Sequence, residues 1–175
     1  MIHILAISGS LSRFSKNTIL LHAASKLAPE GIYIDVFGGL GELPPFNPDV
    51  ESSPPQVIID WRELLKKSDG LMIACPEYAH GVPGVLKNAF DWVVGSGEIM
   101  HKPIALINTT PSSKFAVPSL KETLTVMMGV VVPEASLVIP VAGNKFDEAG
   151  MMANQEISGM IMRSVEALAE SIRKT

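Results

Sequence analysis

The sequence predicts an α/β fold, a doubly wound five-stranded parallel sheet with helices on both faces. Three observations carry that expectation. Short apolar runs at 2–7, 32–36, 71–75, 104–109 and 130–140 are filled almost throughout rather than alternating, as strands buried on both faces are. The stretches between them repeat apolar residues at helical spacing. Clusters of glycine, proline and serine separate one run from the next, so strand and helix alternate along the chain. With no linker or internal repeat, 1–175 is expected to be a single domain.

Taken in order, 2–7 is nearly all apolar and reads as a central strand. The polar stretch 8–18 leads into helix formers at 19–27, with Ser15 a suitable N-cap. Pro29, Glu30 and Gly31 end that helix, and 32–36 is the second strand. Residues 38–55 form a loop of glycines and prolines, long for a compact domain and therefore expected on the ligand or subunit side. Gly38, Gly39 and Gly41 imitate a dinucleotide fingerprint, but prolines follow where that motif needs a helix, which excludes it. A helix at 57–67 turns Ile58, Trp61, Leu64 and Leu65 inward.

The third strand, 71–75, stops at Pro76. Pro83 suits the first helical position, where its missing N–H is no loss. Val85, Leu86, Ala89, Phe90 and Val93 then share one apolar face, with Lys87 and Asp91 four apart on the polar side. A surface loop at 95–98 and a fourth strand at 104–109 follow, then a helix from about 116 to 128. The fifth strand lies within 130–140, broken at Glu134, Ala135 and Ser136. Gly143, Asn144 and Lys145 turn the chain into a last helix with Ile157, Ile161, Val165, Leu168 and Ile172 on one face.

Composition narrows the function. A length of 175 residues suits a sizeable core, and 47% hydrophobic against 18% charged residues excludes disorder. A net charge of −4 offers no basic face for nucleic acid. One cysteine means no disulfide framework and no zinc set, which fits a reducing cytoplasm. The first residues lack the basic flank of a signal peptide, and no apolar run reaches the roughly 18 residues of a membrane span. His3, His22, His80 and His101 show no ligand spacing, so no metal is expected. Cys75, closing an apolar strand, reads as a buried small hydrophobe, and the methionine pairs as core or subunit-contact filler.

Two loops carry chemistry. After the first strand, Ser10, Ser12, Ser15 and Thr18 offer hydroxyls, Asn17 an amide and Arg13 a cation, and the following helix points its free N–H groups and positive dipole end at them. That set suits a phosphate; a polar turn with a serine cap is the plain alternative. After the third strand, Pro76-Glu77-Tyr78-Ala79-His80-Gly81 offers backbone groups and side chains to a flat, heteroatom-edged ligand in the crevice at the strand ends.

The run from Pro76 to Trp92 resembles the Pro-Glu-Tyr-Asn…Pro-Gly-x-Leu-Lys-Asn-Ala-x-Asp-Trp signature of the flavodoxin-like NADPH-dependent FMN reductase family, with Ala79 in place of the usual Asn. The first loop resembles that family's Gly-Ser-Leu-Arg-x-x-Ser-x-Asn: Ser10, Leu11, Ser15 and Asn17 match, Ser12 stands where Arg is usual, and Arg13 follows one place later. The resemblance implies strand order 2-1-3-4-5, bound FMN, and NADPH or NADH as hydride donor. It implies phosphate contacts from Ser10, Ser15 and Asn17, while Ser12, Arg13 and Thr18 join them as candidates on their hydroxyls and charge alone. It also implies ring and ribityl contacts, largely through backbone, from Pro76, Glu77, Tyr78 and Ala79; Gly81 is expected beside them, and His80 as a pocket-lining or interface histidine. In the third loop, after the fourth strand, Thr110 stands in reach of the ring or ribityl, although the family's glycine turn is missing there.

The activity implied is two-electron transfer by a ping-pong mechanism to a small acceptor: free flavin, a quinone, an azo dye or a metal oxyanion. No side chain is expected to act as acid or base, and a homodimer or dimer of dimers is expected. Two rivals stand beside this reading, a flavodoxin-type electron carrier and a relative that has lost FMN.

Overall fold

The computed structural model describes residues 1–141 and 146–175. The turn expected at 143–145 lies outside the described residues. Five strands, β1 (Ile2–Ser8), β2 (Ile32–Phe37), β3 (Gly70–Ala74), β4 (Pro103–Ile107) and β5 (Val130–Val131), form an all-parallel sheet in the order β2-β1-β3-β4-β5. The helices are α1 (Lys16–Leu27), α2 (Gln56–Lys67), α3 (Gly84–Asp91), α4 (Ala116–Val126), α5 (Glu148–Ala153) and α6 (Gln155–Lys174).

Period-two geometry sends successive strand residues to opposite faces. Leu5, Ile7, Leu71, Ile73, Ile104 and Leu106 pack under α2, α3 and α4, around Trp61, Phe90 and Leu120. Ile4, Ala6, Met72, Ala74, Ala105 and Ile107 face α1, α5 and α6. Both faces are therefore core, which is why the runs do not alternate. The alanines all fall on the α1–α6 side and leave room for the helices to approach; larger residues fill the other side.

Helix α1 begins at Lys16, capped as expected by Ser15, which in extended backbone accepts from the Thr18 amide and closes the first turn. Three other features differ from expectation. Pro83 sits just before α3 rather than inside it, its carbonyl accepting from the Leu86 and Lys87 amides. A short helix, α5, precedes the last one. Its start is capped by Asp147, whose side chain accepts from the Gly150 amide. The fifth strand is only two residues of ladder. Beyond it the Ser136 hydroxyl accepts from the Leu106 amide and donates to the Val132 carbonyl, bridging the break until Val138 pairs with Asn108.

The 38–55 loop contains two 3-10 turns, Leu40–Glu42 and Pro48–Val50, and buries Leu40 and Leu43. It is strapped to α3. Asn88 accepts from the Phe46 amide at 2.7 Å and donates to Pro44 at 3.0 Å. Trp92, just after the helix, donates its indole N–H to the same Pro44 carbonyl at 2.8 Å. Phe46 meets the Trp92 ring edge-on at 5.1 Å. Two residues of the long Pro76–Trp92 motif thus hold the scaffold.

Candidate functional site

The chain leaves β1 toward one layer (α1) and β3 toward the other (α3), so the connections diverge and open a crevice above the carboxyl ends of these neighbouring strands. That is where an open α/β sheet binds ligands. Three loops stand there, following β1, β3 and β4.

In the first loop the hydroxyls organise the backbone. Ser10 Oγ accepts from the Ser12 amide, Ser12 Oγ from the Phe14 amide, and Ser15 Oγ from the Thr18 amide at the start of α1. A hydroxyl that accepts keeps its own proton to donate. The loop thus turns three O–H groups and the first amides of a twelve-residue helix into a set of donors. Thr18 pairs its hydroxyl with Ser8 at 2.7 Å, beneath the others. Asn17 is buried, and its Oδ1 accepts from the Thr109 hydroxyl at 3.0 Å, which leaves its amide NH2 to donate. Arg13 is exposed and lies 4.9 Å over the Phe14 ring.

In the second loop Tyr78 and Gly81 exchange both backbone hydrogen bonds, at 3.1 and 2.9 Å, around Ala79 and His80. Both central residues are left-handed, with φ of 48° and 61°. A two-residue turn of this hand favours Asn-Gly, which makes Ala79 a conformational liability and explains why Asn is at home there. The Tyr78 hydroxyl donates to Ser10 Oγ at 3.0 Å. Gly9 makes the approach possible: a Cβ there would come within 3.0 Å of the Pro76 ring and 3.1 Å of Leu86. Cys75 is fully buried. Burial first, and the Glu77 charge second, push its thiol up to about 12, so no thiolate is available as a nucleophile.

Glu77 is tied to the third loop. Its Oε2 accepts from the Phe115 amide at 2.7 Å, the Ala116 amide at 2.9 Å and the Ser113 hydroxyl at 2.9 Å. These bonds, the Ala116 amide foremost, hold the carboxyl below its usual range, with His80 adding to the effect. His80 in turn stacks on Phe115, ring centroids 4.4 Å apart.

The third loop is braced by Asn108, which exchanges two 2.8 Å bonds with the Thr110 backbone. Thr110 itself is exposed. Every pair of the three loops is therefore joined by side chains: first to second by Tyr78–Ser10, first to third by Asn17–Thr109, second to third by Glu77. Thr109, Ser113 and Phe115 were not singled out from the sequence. A polar residue closing an apolar strand was the only signal for Thr109, and nothing local marks the other two. Among the described residues no cluster of His, Cys, Asp or Glu could hold a metal ion, and no helix is long and apolar enough to cross a membrane.

Known proteins resemble this chain throughout its length. An NAD(P)H-dependent FMN reductase of Pseudomonas aeruginosa is 30% identical over 180 residues, covering 99% of this chain and 96% of that protein. A 2-hydroxy-1,4-benzoquinone reductase of a Burkholderia species is 40% identical over 110 residues, 61% of this chain and 60% of its own length. Among solved structures, FerB of Paracoccus denitrificans, described as a flavoenzyme NAD(P)H:(acceptor) oxidoreductase, superposes with a TM-score of 0.88 at 25% identity, covering 99% of this chain and 98% of FerB. The family model for NADPH-dependent FMN reductases matches residues 2–144, and the chain belongs to that family.

Proposed function

We propose that this chain binds FMN between its three crest loops and passes two electrons from NADPH or NADH to a small acceptor, donor and acceptor occupying one site in turn. Family membership supports the reaction class, NAD(P)H-dependent oxidoreduction with FMN. The observation that carries the reading to this site is the three-way bracing of the loops around the Ser10, Ser12 and Ser15 hydroxyls and the Asn17 amide.

The residues fit the cofactor. Hydroxyls of Ser10, Ser12 and Ser15, the Asn17 amide and the start of α1 converge as donors where a phosphate would gain from each, with Arg13 free to swing in and Thr18 supporting from below. The backbone of Pro76, Glu77, Tyr78, Ala79, His80 and Gly81 would border the ring and ribityl, and the exposed Thr110 would offer them its hydroxyl from the third loop. When bound, FMN supplies two-electron chemistry at N5 of its ring. The protein holds and orients; no side chain is assigned a proton transfer. Quinones are the acceptor class best supported, because relatives of this chain are named quinone reductases. Free flavin, azo dyes and metal oxyanions remain within reach of an open site.

The protein acts as one unit over 1–175, in the cytoplasm, as a homodimer or dimer of dimers. Purified protein should be yellow with one FMN per chain and should oxidise NADPH rapidly with a benzoquinone. A colourless protein that takes up no FMN overturns the reading. A flavin-loaded protein inert toward NADPH and NADH moves it to an electron carrier.

A further inference from the structure

Helix α4 starts without a cap of its own. Phe115 stands at the cap position with no side-chain hydrogen bond to offer, and no acidic residue lies in the first turn. The missing acceptor comes from Glu77, 38 and 39 residues earlier, whose single oxygen Oε2 takes the Phe115 and Ala116 amides and the Ser113 hydroxyl together. A carboxylate at a helix start gains from both the free amides and the dipole. Glu77 also lies directly before the Tyr78–Gly81 turn, whose central residues Ala79 and His80 are strained into left-handed backbone. Such strain persists only where the surroundings hold it. Two restraints flank that turn, the Glu77 carboxylate on one side and the His80–Phe115 stack on the other, and both are anchored on the first residues of α4.

We infer that Glu77 is a positioning residue: by capping α4 from a different loop it fixes the Tyr78–Gly81 turn against the third loop and so sets the slot in which the flavin ring lies. The inference rests on the FMN reading above. It assigns the side chain of Glu77 a role apart from the backbone contacts of its neighbours. It also explains how a third loop without glycine is kept in register.

The test compares full-length wild type with Glu77→Gln, Ser113→Ala and, as a control, Leu120→Val, which loosens the buried face of α4 without touching the cap. Flavin affinity is titrated well below each melting temperature with FMN and with riboflavin, and amide exchange is followed in the flavin-free protein. Glu77→Gln should weaken FMN and riboflavin alike by about tenfold, the usual scale for a bond to a charged acceptor. Its Gly81 and Ala116 amides should exchange faster. Ser113→Ala should move both readouts the same way by less. Leu120→Val should melt earlier yet bind both flavins as wild type does.

Unchanged affinity in Glu77→Gln with faster exchange confined to Ala116 would overturn the inference, leaving a helix cap and nothing more. Loss of affinity in Leu120→Val equal to that in Glu77→Gln would overturn it too. If wild type takes up no flavin, the functional reading fails by itself. Exchange at Gly81 in the flavin-free Glu77→Gln protein then decides the inference: acceleration sustains the loop-fixing role, and no change refutes it.

Discussion

At the scale of single residues, Asn17 shows how one side chain serves two neighbours. Its carbonyl oxygen is engaged by the buried Thr109 hydroxyl, so its donors are the free half. Asn17→Asp keeps the acceptor for Thr109 but replaces the donors with a second negative charge near the proposed phosphate. FMN affinity should fall by roughly 2–3 kcal/mol, on the scale of a lost bond to a charged group, while riboflavin should change little. Parallel fluorescence titrations decide it; equal losses for both ligands would place the phosphate elsewhere. Asn17 was singled out in the sequence because hydroxyls and amides crowd a helix start there, a set that suits an anion. Glu77 was not. Its partners lie 36, 38 and 39 residues away, and only the folded sheet brings the two loops side by side.

At the scale of elements, the borrowed cap makes α4 sensitive to acid. The Glu77 carboxyl is held below its ordinary value, so it stabilises the fold above its unfolded pKa of about 4.3 and loses that contribution as pH falls through the folded value. Melting temperatures of wild type and Glu77→Gln should therefore differ at pH 7 and converge as the pH drops below about 4. A gap that stays constant across that range would mean the charge does not matter. Helix α3 carries a different load. Trp92→Phe removes the indole bond to Pro44 and leaves that carbonyl dependent on Asn88, so stability should drop by about 1–3 kcal/mol. The 38–55 loop should also become the first point of proteolytic cutting. Elements with continuous apolar runs were readable from the sequence to within a few residues. The fifth strand was less so, because a serine hydroxyl replaces ladder bonds there and a two-residue strand leaves almost no periodic trace.

At the scale of the molecule, the layered α/β architecture followed from filled apolar runs alternating with amphipathic helices, while the strand order 2-1-3-4-5, which the sheet adopts, was implied only by the family resemblance. What the sequence left open is how the crest is braced, since those bonds join loops that are distant along the chain. Two predictions belong here. Initial rates at several quinone levels should plot as parallel lines against NADPH under the proposed exchange of both substrates at one site; intersecting lines would require both to be bound together and would refute it. Exposed Phe14, Tyr78 and Phe115 crowd the crest, and Val126, Met128 and Val130 lie at the far end of α4. Light scattering at micromolar concentration should return a dimer or tetramer mass. A monomer would refute the assembly while leaving the site intact.

The left-handed pair Ala79-His80 has a bearing on how far this protein can be hardened. Each such residue without glycine or asparagine costs about 1–2 kcal/mol, so an unclaimed stability reserve sits in a single turn. Ala79→Asn together with His80→Gly would release it, yielding a chain that survives higher temperatures. The same exchange would delete the ring that stacks on Phe115. Relief of backbone strain and the stack that ties this hairpin to the start of α4 are thus traded at one turn.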